Sequence, residues 1–164
     1  MWLVETYQVE RWEWTTADFE RMGWHDATIY AIANLPETWE VLLDIDYLLE
    51  WVPPDTDGGN YRFWVVPATL IFENVSSVNI ELAPYGDITV QGLERGEPEP
   101  TRPGFEGAPT QWPWTVDCNE GVIAMRATGF RQVVRRQPVL QESQRLSLAD
   151  RGGLSFARES GRAF

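Results

Sequence analysis

Between Trp24 and about Arg136 the chain alternates apolar and polar residues with a period of two, a pattern that suits extended strands with one buried face. The segment Trp39–Trp51 shows it best. Its odd positions, Trp39, Val41, Leu43, Ile45, Tyr47, Leu49 and Trp51, are all apolar or aromatic. Its even positions, Glu40, Leu42, Asp44, Asp46, Leu48 and Glu50, are mixed. Such a strand packs one face on a core and keeps the other partly wet. Ala27–Asn34 reads as its partner, joined through Leu35, Pro36 and Glu37, and residues 53–60, rich in Pro, Asp and Gly, form a turn. Further strands are expected at 61–66, 69–74, 78–82, 88–93, 114–118, 121–128 and 130–136. Helix signals are few. Thr15 with Asp18 three residues on suits a cap opening a short turn through Met22, and 147–151 suits one more turn before Gly152 and Gly153. Many short strands with one or two short helices predict a mainly β fold, an antiparallel β-sandwich or a partly closed barrel.

The 164 residues fit one domain, and a chain near this size buries about 70% of its unfolded surface without needing metal or disulfide. Within it, 94–113 gathers prolines, glycines and glutamates and is expected to be a long exposed loop. The order of the tail 154–164 is left open. The first ten residues carry Glu5 and Glu10 and no basic residue, which does not suit a secretory signal. No run approaches the ~18 apolar residues of a membrane span. The single cysteine, Cys118, has no partner for an internal bridge, which fits a reducing cytoplasm.

Charge is divided along the chain. Residues 1–120 hold 22 of the 25 acidic residues against five arginines, whereas 121–164 hold eight arginines against three acids. Lysine is absent, and the net charge is −12. A field of this sign repels nucleic acid and attracts cationic partners. Arg126, Arg131, Arg135 and Arg136 form a basic stripe on two successive strands, suited either to an anion or to cross-strand pairing with acids; pairing is favoured.

Several groups carry possible chemistry. His25, the sole histidine, with Asp26 and Asp44 offers a nitrogen and oxygens to a metal ion. Asp44 and Asp46 lie two apart on one strand face, about 6.6 Å along the chain. The plainer reading, a turn histidine and a solvated acidic face, is preferred because one histidine and loosely spaced acids make no metal motif. The run 44–50 also has something of the paired carboxylates of all-β glycoside hydrolases, with Trp39, Trp51, Trp64, Trp112 and Trp114 as sugar platforms. The first acid is Asp rather than Glu, however, and the last lies too far on. Cys118 has no neighbouring sequence that resembles a nucleophile's. No cofactor is called for. A tryptophan-lined cavity for a small ligand is a further reading.

Trp24-His25-Asp26, residues 43–47, Pro67–Phe72, Ala127–Phe130 and Arg151–Phe156 together resemble a family of small uncharacterised bacterial β-rich proteins. The aromatic-His-Asp opening before amphipathic strands is similar to immunity proteins of polymorphic-toxin systems. The resemblance implies a non-enzymatic, cytoplasmic protein-binding module, carries over no catalytic residue, and suggests neutralisation of a cationic toxin. The partner is then a protein with a basic surface, not nucleic acid or membrane, and the expected contact residues are Glu40, Asp44, Asp46 and Glu50 on the wet strand face. The acidic loop 94–106 is a second surface. The oligomeric state is open.

Overall fold

The computed structural model describes residues 6–100 and 103–163. Ten strands follow in chain order: β1 (Glu13–Thr15), β2 (Thr28–Leu35), β3 (Glu40–Val52), β4 (Arg62–Glu73), β5 (Ser76–Leu82), β6 (Ile88–Arg95), β7 (Trp112–Cys118), β8 (Gly121–Ala127), β9 (Gly129–Val134) and β10 (Val139–Gln141). All pair antiparallel, in the order β1-β9-β4-β3-β2-β6-β7-β8-β5, with β10 on β4. The sheet does not close into a barrel.

Two halves meet where β2 and β6 share a short ladder, Thr28 with Thr89 and Ile29 with Ile88. The chain crosses between halves at two adjacent corners, β4 to β5 and β8 to β9. These are tied by the Thr128 N–H donating to the Glu73 carbonyl and by Asn74 Nδ2 donating to the Thr128 hydroxyl. One core fills the space between the halves. Val41, Leu43, Ile45 and Tyr47 of β3 and Val66, Ala68, Leu70 and Phe72 of β4 face Trp114 and Val116 of β7 and Ile123 and Met125 of β8. Trp114, Phe130, Phe72, Trp24 and Phe19 interlock mostly edge to face, with ring centres 5.4–6.4 Å apart. The alternation seen in sequence is therefore the inward face of a folded-over sheet.

The short helical segments form where the cap residues stand. Thr15 accepts from the Ala17 N–H while Asp18 takes the Thr15 N–H, opening a 3-10 turn at Thr16–Arg21. Ser147 caps α1 (Leu148–Arg151), which Gly152, at φ 78°, terminates in the left-handed region.

Three details depart from the sequence reading. Trp39 is not on the strand; it sits in the preceding turn at φ 56°, 65% exposed, its carbonyl accepting from the Val75 N–H. The short edge pieces β1 and β10, three residues each, carry too little alternation to register. The two strands expected at 61–66 and 69–74 are one continuous β4 running through Pro67. Proline is tolerated because Pro67 lies between the ends of the β9 and β10 ladders, where its carbonyl accepts from the Arg135 N–H and its missing donor leaves no partner unpaired. Groups at Thr69, Ile71 and Glu73 point the same way as those of Pro67, into the β9 ladder. Pro67→Ala is accordingly expected to move urea-unfolding stability by no more than about 1 kcal/mol. Ile71→Pro, which removes a ladder donor, is expected to cost about 3 kcal/mol or more.

Candidate functional site: a closed charge network and an open acidic face

β3 is buried on both faces, because the even positions that leave the inter-sheet core are covered by the C-terminal segment. Leu146 packs on Leu48, Phe63 and Val65 in a second, smaller cluster. From there the chain runs through α1 and across the outer face of β3 and β4. The Ser155 N–H donates to Asp44 Oδ2 at 2.9 Å, the Thr69 hydroxyl donates to the Ala157 carbonyl at 2.7 Å, and Arg158 grips Glu40 through two bonds of 2.8 Å. Gly161 seats against the Arg135 backbone, where an added Cβ would lie 2.4 Å from the carbonyl oxygen. Residues 154–163 are thus a strap.

Beneath the strap lies a network of four charges. Asp44 and Asp46 are 0% exposed, and so is the side chain of Arg151. All five guanidinium N–H groups of Arg151 find acceptors. Nε donates to Asp46 Oδ1 (3.1 Å), Nη1 to Asp44 Oδ2 (3.0 Å) and the Gly153 carbonyl (2.6 Å), and Nη2 to Asp44 Oδ1 (2.7 Å) and the Ile45 carbonyl (3.2 Å). Its plane lies over the Tyr30 ring at 3.9 Å. Arg135 donates to Asp44 Oδ1 at 2.8 Å and to the Thr69 hydroxyl at 3.0 Å. Asp46 Oδ2 accepts the Leu146 N–H at 2.7 Å and the Tyr30 hydroxyl at 3.0 Å; that hydroxyl also meets the Leu146 carbonyl. Two carboxylates and two guanidiniums sum to zero, as burial of charge demands.

The pKa shifts follow from this environment. Burial works against the charge on Arg151, but its bonds to Asp44 and Asp46 outweigh that and hold its pKa above the ordinary value. Burial lowers Arg135 despite Asp44, and raises the Asp46 carboxyl against the pull of the Leu146 N–H and Arg151. Tyr30 is pushed up to about 12 by burial and by the Asp46 charge. Arg158 holds Glu40 below the usual carboxylate range.

Two of the four expected contact residues are therefore displaced from that role. Asp44 and Asp46 present nothing outward; the face taken as wet is capped by arginines that arrive from about 90 to 107 residues later in the chain. Glu40 is engaged by Arg158, and of the four only Glu50 is exposed. The candidate metal set does not assemble either. His25 Nε2 stands 3.6 Å from Asp26 Oδ2, its ring stacks on Trp51, and Gln144 donates to Asp26, while three of the four oxygens of Asp44 and Asp46 each accept two bonds already. No group of three or more His, Cys, Asp or Glu side chains among the described residues is placed to hold a metal ion. Of the expected sugar platforms, Trp64 and Trp114 are core residues, Trp112 packs under Arg95 at 4.5 Å, and Trp39 and Trp51 remain exposed. Cys118 is buried, its thiol pushed up to about 11 by burial and by Glu120 and Asp117. The arginine stripe resolves into pairs: Arg126 with Glu99, Arg131 with Glu13 and Glu73, and Arg135 with Asp44; Arg136 donates to the Asp150 carbonyl.

Among the acids that no arginine engages in the described residues, three lie on the other half of the sheet. On the outer face of β5–β8, Glu81 stands opposite Val122, which stands opposite Asp117; in the next row Asn79, Ala124, Thr115 and Glu94 follow one another across the strands. Glu81, Asp117 and Glu94 are exposed, and none forms an ion pair with a described residue. Val122, Ala124 and Thr115 lie between them. Beyond β6, the loop expected at 94–113 begins only after Arg95; Glu99 turns back to Arg126, and a cavity of about 480 Å³ opens between Phe105, Gln111 and the Asn74–Ser77 corner. No helix among the described residues is long and apolar enough to cross a membrane.

Compared with protein-family models, with curated proteins and with solved structures, the chain has no match.

The sequence reading favoured pairing of Arg135 with strand acids, as Asp44 shows, but missed Arg151, Tyr30 and Ser155 as their partners. One signal was available: two aspartates within an otherwise apolar run require buried cations, and the arginines of 121–164 supply them. Arg151→Met leaves the carboxylates short of one charge and is expected to cost about 3–5 kcal/mol in urea unfolding, whereas Arg136→Met is expected to cost no more than about 1 kcal/mol. A loss below about 1 kcal/mol for Arg151→Met would show the network to be dispensable. Cys118 in the native chain is expected to react slowly with a thiol reagent at neutral pH, with the rate climbing toward pH 11 as thiolate forms and reaching that of a free thiol on unfolding. Rapid labelling of folded protein at pH 7 would contradict the buried setting.

Proposed function

We propose that this chain is a non-catalytic protein-binding module that captures a partner with a basic surface, and that it serves as an immunity protein neutralising a cationic toxin. The observation that supports this reading is the partition of its acids. Arginines engage the carboxylates that brace the first half of the sheet, while Glu81, Glu94 and Asp117 are exposed on the outer face of the second half without an ion pair to any described residue. The sheet fixes the spacing of these carboxylates, and a −12 chain accelerates the encounter with a cationic surface. This moves the proposed contact from Asp44 and Asp46 to the outer face of the other half of the fold. The residues that resemble the small uncharacterised bacterial β-rich proteins, such as Arg151–Phe156, then serve the scaffold rather than the contact.

The test is co-expression with the product of the reading frame beside its own gene. Relief of growth arrest by this chain is expected, together with its loss when Glu81, Glu94 and Asp117 are all changed to Lys and its weakening as salt is raised in a purified association assay. Relief that survives the triple reversal in a folded protein, or an association indifferent to salt, would exclude the acidic face as the contact.

A further inference from the structure

β5 is the terminal strand of the sheet, and its outer edge carries no partner among the described residues. Two contacts show which backbone groups that edge displays. The Ala83 N–H donates to the Glu120 carbonyl, and the Glu81 carbonyl is aimed so closely at β8 that a Cβ on Gly121 would lie 1.9 Å from it. Groups on a strand alternate in direction, so Asn79 and Glu81 bond toward β8 while Val78, Ile80 and Leu82 present their N–H and C=O groups outward. The side chains alternate too. Val78 and Ile80 lie opposite the core residues Met125 and Ile123 but reach past the end of the core, 36% and 45% exposed, whereas Asn79 and Glu81 belong to the acidic outer face. The strip has defined ends. A bulge at Ser77 (φ 61°) and the loop held by Ser76 to Gln111 close one, and Pro84 closes the other.

We infer that the Val78–Leu82 edge is a docking strand for an extended segment of a basic protein partner in which apolar residues alternate with Arg or Lys. A strand laid about 4.8 Å away completes the ladder, sets its apolar residues on Val78 and Ile80, and turns its cations toward Glu81. Charge selects this occupant over a second copy of the chain, since two molecules at −12 repel and neither brings a cation opposite Glu81. The inference rests on the proposed capture of a basic partner and names the strand that does it.

The probes are two short peptides, one alternating valine with arginine and one alternating valine with glutamate, titrated onto the full chain at low salt with amide exchange read residue by residue. The valine–arginine peptide is expected to slow exchange at Val78, Ile80 and Leu82, to weaken with added salt, and to surpass the glutamate peptide. Ile80→Pro removes an outward N–H and an apolar contact without touching the β5–β8 ladder. It is expected to keep the urea midpoint and weaken peptide binding roughly tenfold or more. Glu81→Lys should weaken it without unfolding the strand. Protection elsewhere than β5, unchanged binding to folded Ile80→Pro, equal binding of both peptides, or protection of these amides by self-association alone would overturn the inference. Failure here with the triple reversal still abolishing relief of growth arrest removes the edge but keeps the acidic face. Protection at β5 with relief untouched by that reversal does the opposite.

Discussion

The guanidinium of Arg151, held between Asp44 and Asp46, is the contact on which the outer half of this fold depends. A single arginine bonds both buried carboxylates and two backbone carbonyls and covers the face of Tyr30, and in doing so fixes the C-terminal segment across β3 and β4. Ionised groups removed from water are tolerated only when paired and fully hydrogen-bonded. Here the pairing is complete, and it joins a strand near residue 45 to a helix near residue 150. The β3–β4 pair consequently behaves as the middle layer of the molecule, with an aromatic core on one side and a charged, strapped layer on the other.

That division decides where chemistry can and cannot happen. Carboxylates whose lone pairs accept from Arg135, Arg151, Ser155, Leu146 and Tyr30 have little left for a metal ion or a sugar oxygen. The lone histidine is tied to Trp51, Asp26 and the Gln91 carbonyl, and the lone thiol is buried among negative neighbours. Three exposed acids, Glu81, Glu94 and Asp117, and a strand edge with no partner among the described residues, by contrast, lie on the second half of the sheet. An open strand edge and an unbalanced charge in one place are what the proposed capture of a basic partner rests on.

Much of the fold was readable from residue order. The period of two placed β3 to within a residue or so at either end, Thr15 with Asp18 announced its turn, and Ser147 with Gly152 bracketed α1. Pro67 misled, because a proline in a strand reads as a break unless the neighbouring ladder has a gap for it, and that gap is made by β9 and β10 ending on either side. Trp39 misled because its side chain matches the alternation while its backbone turns left-handed. The site was less legible: Glu40, Asp44 and Asp46 looked like a wet face because nothing nearby in sequence could neutralise them.

Taken alone, the sequence determined a β protein with one inter-sheet core, a strong negative field and arginine as its sole permanent cation, since alternation and composition are local properties. Which carboxylates are buried and which are displayed was decided only by the tertiary structure. Neutralising Asp44 and Asp46 takes cations from about a hundred residues away, and a contact of that range exists only once the strap has crossed the sheet.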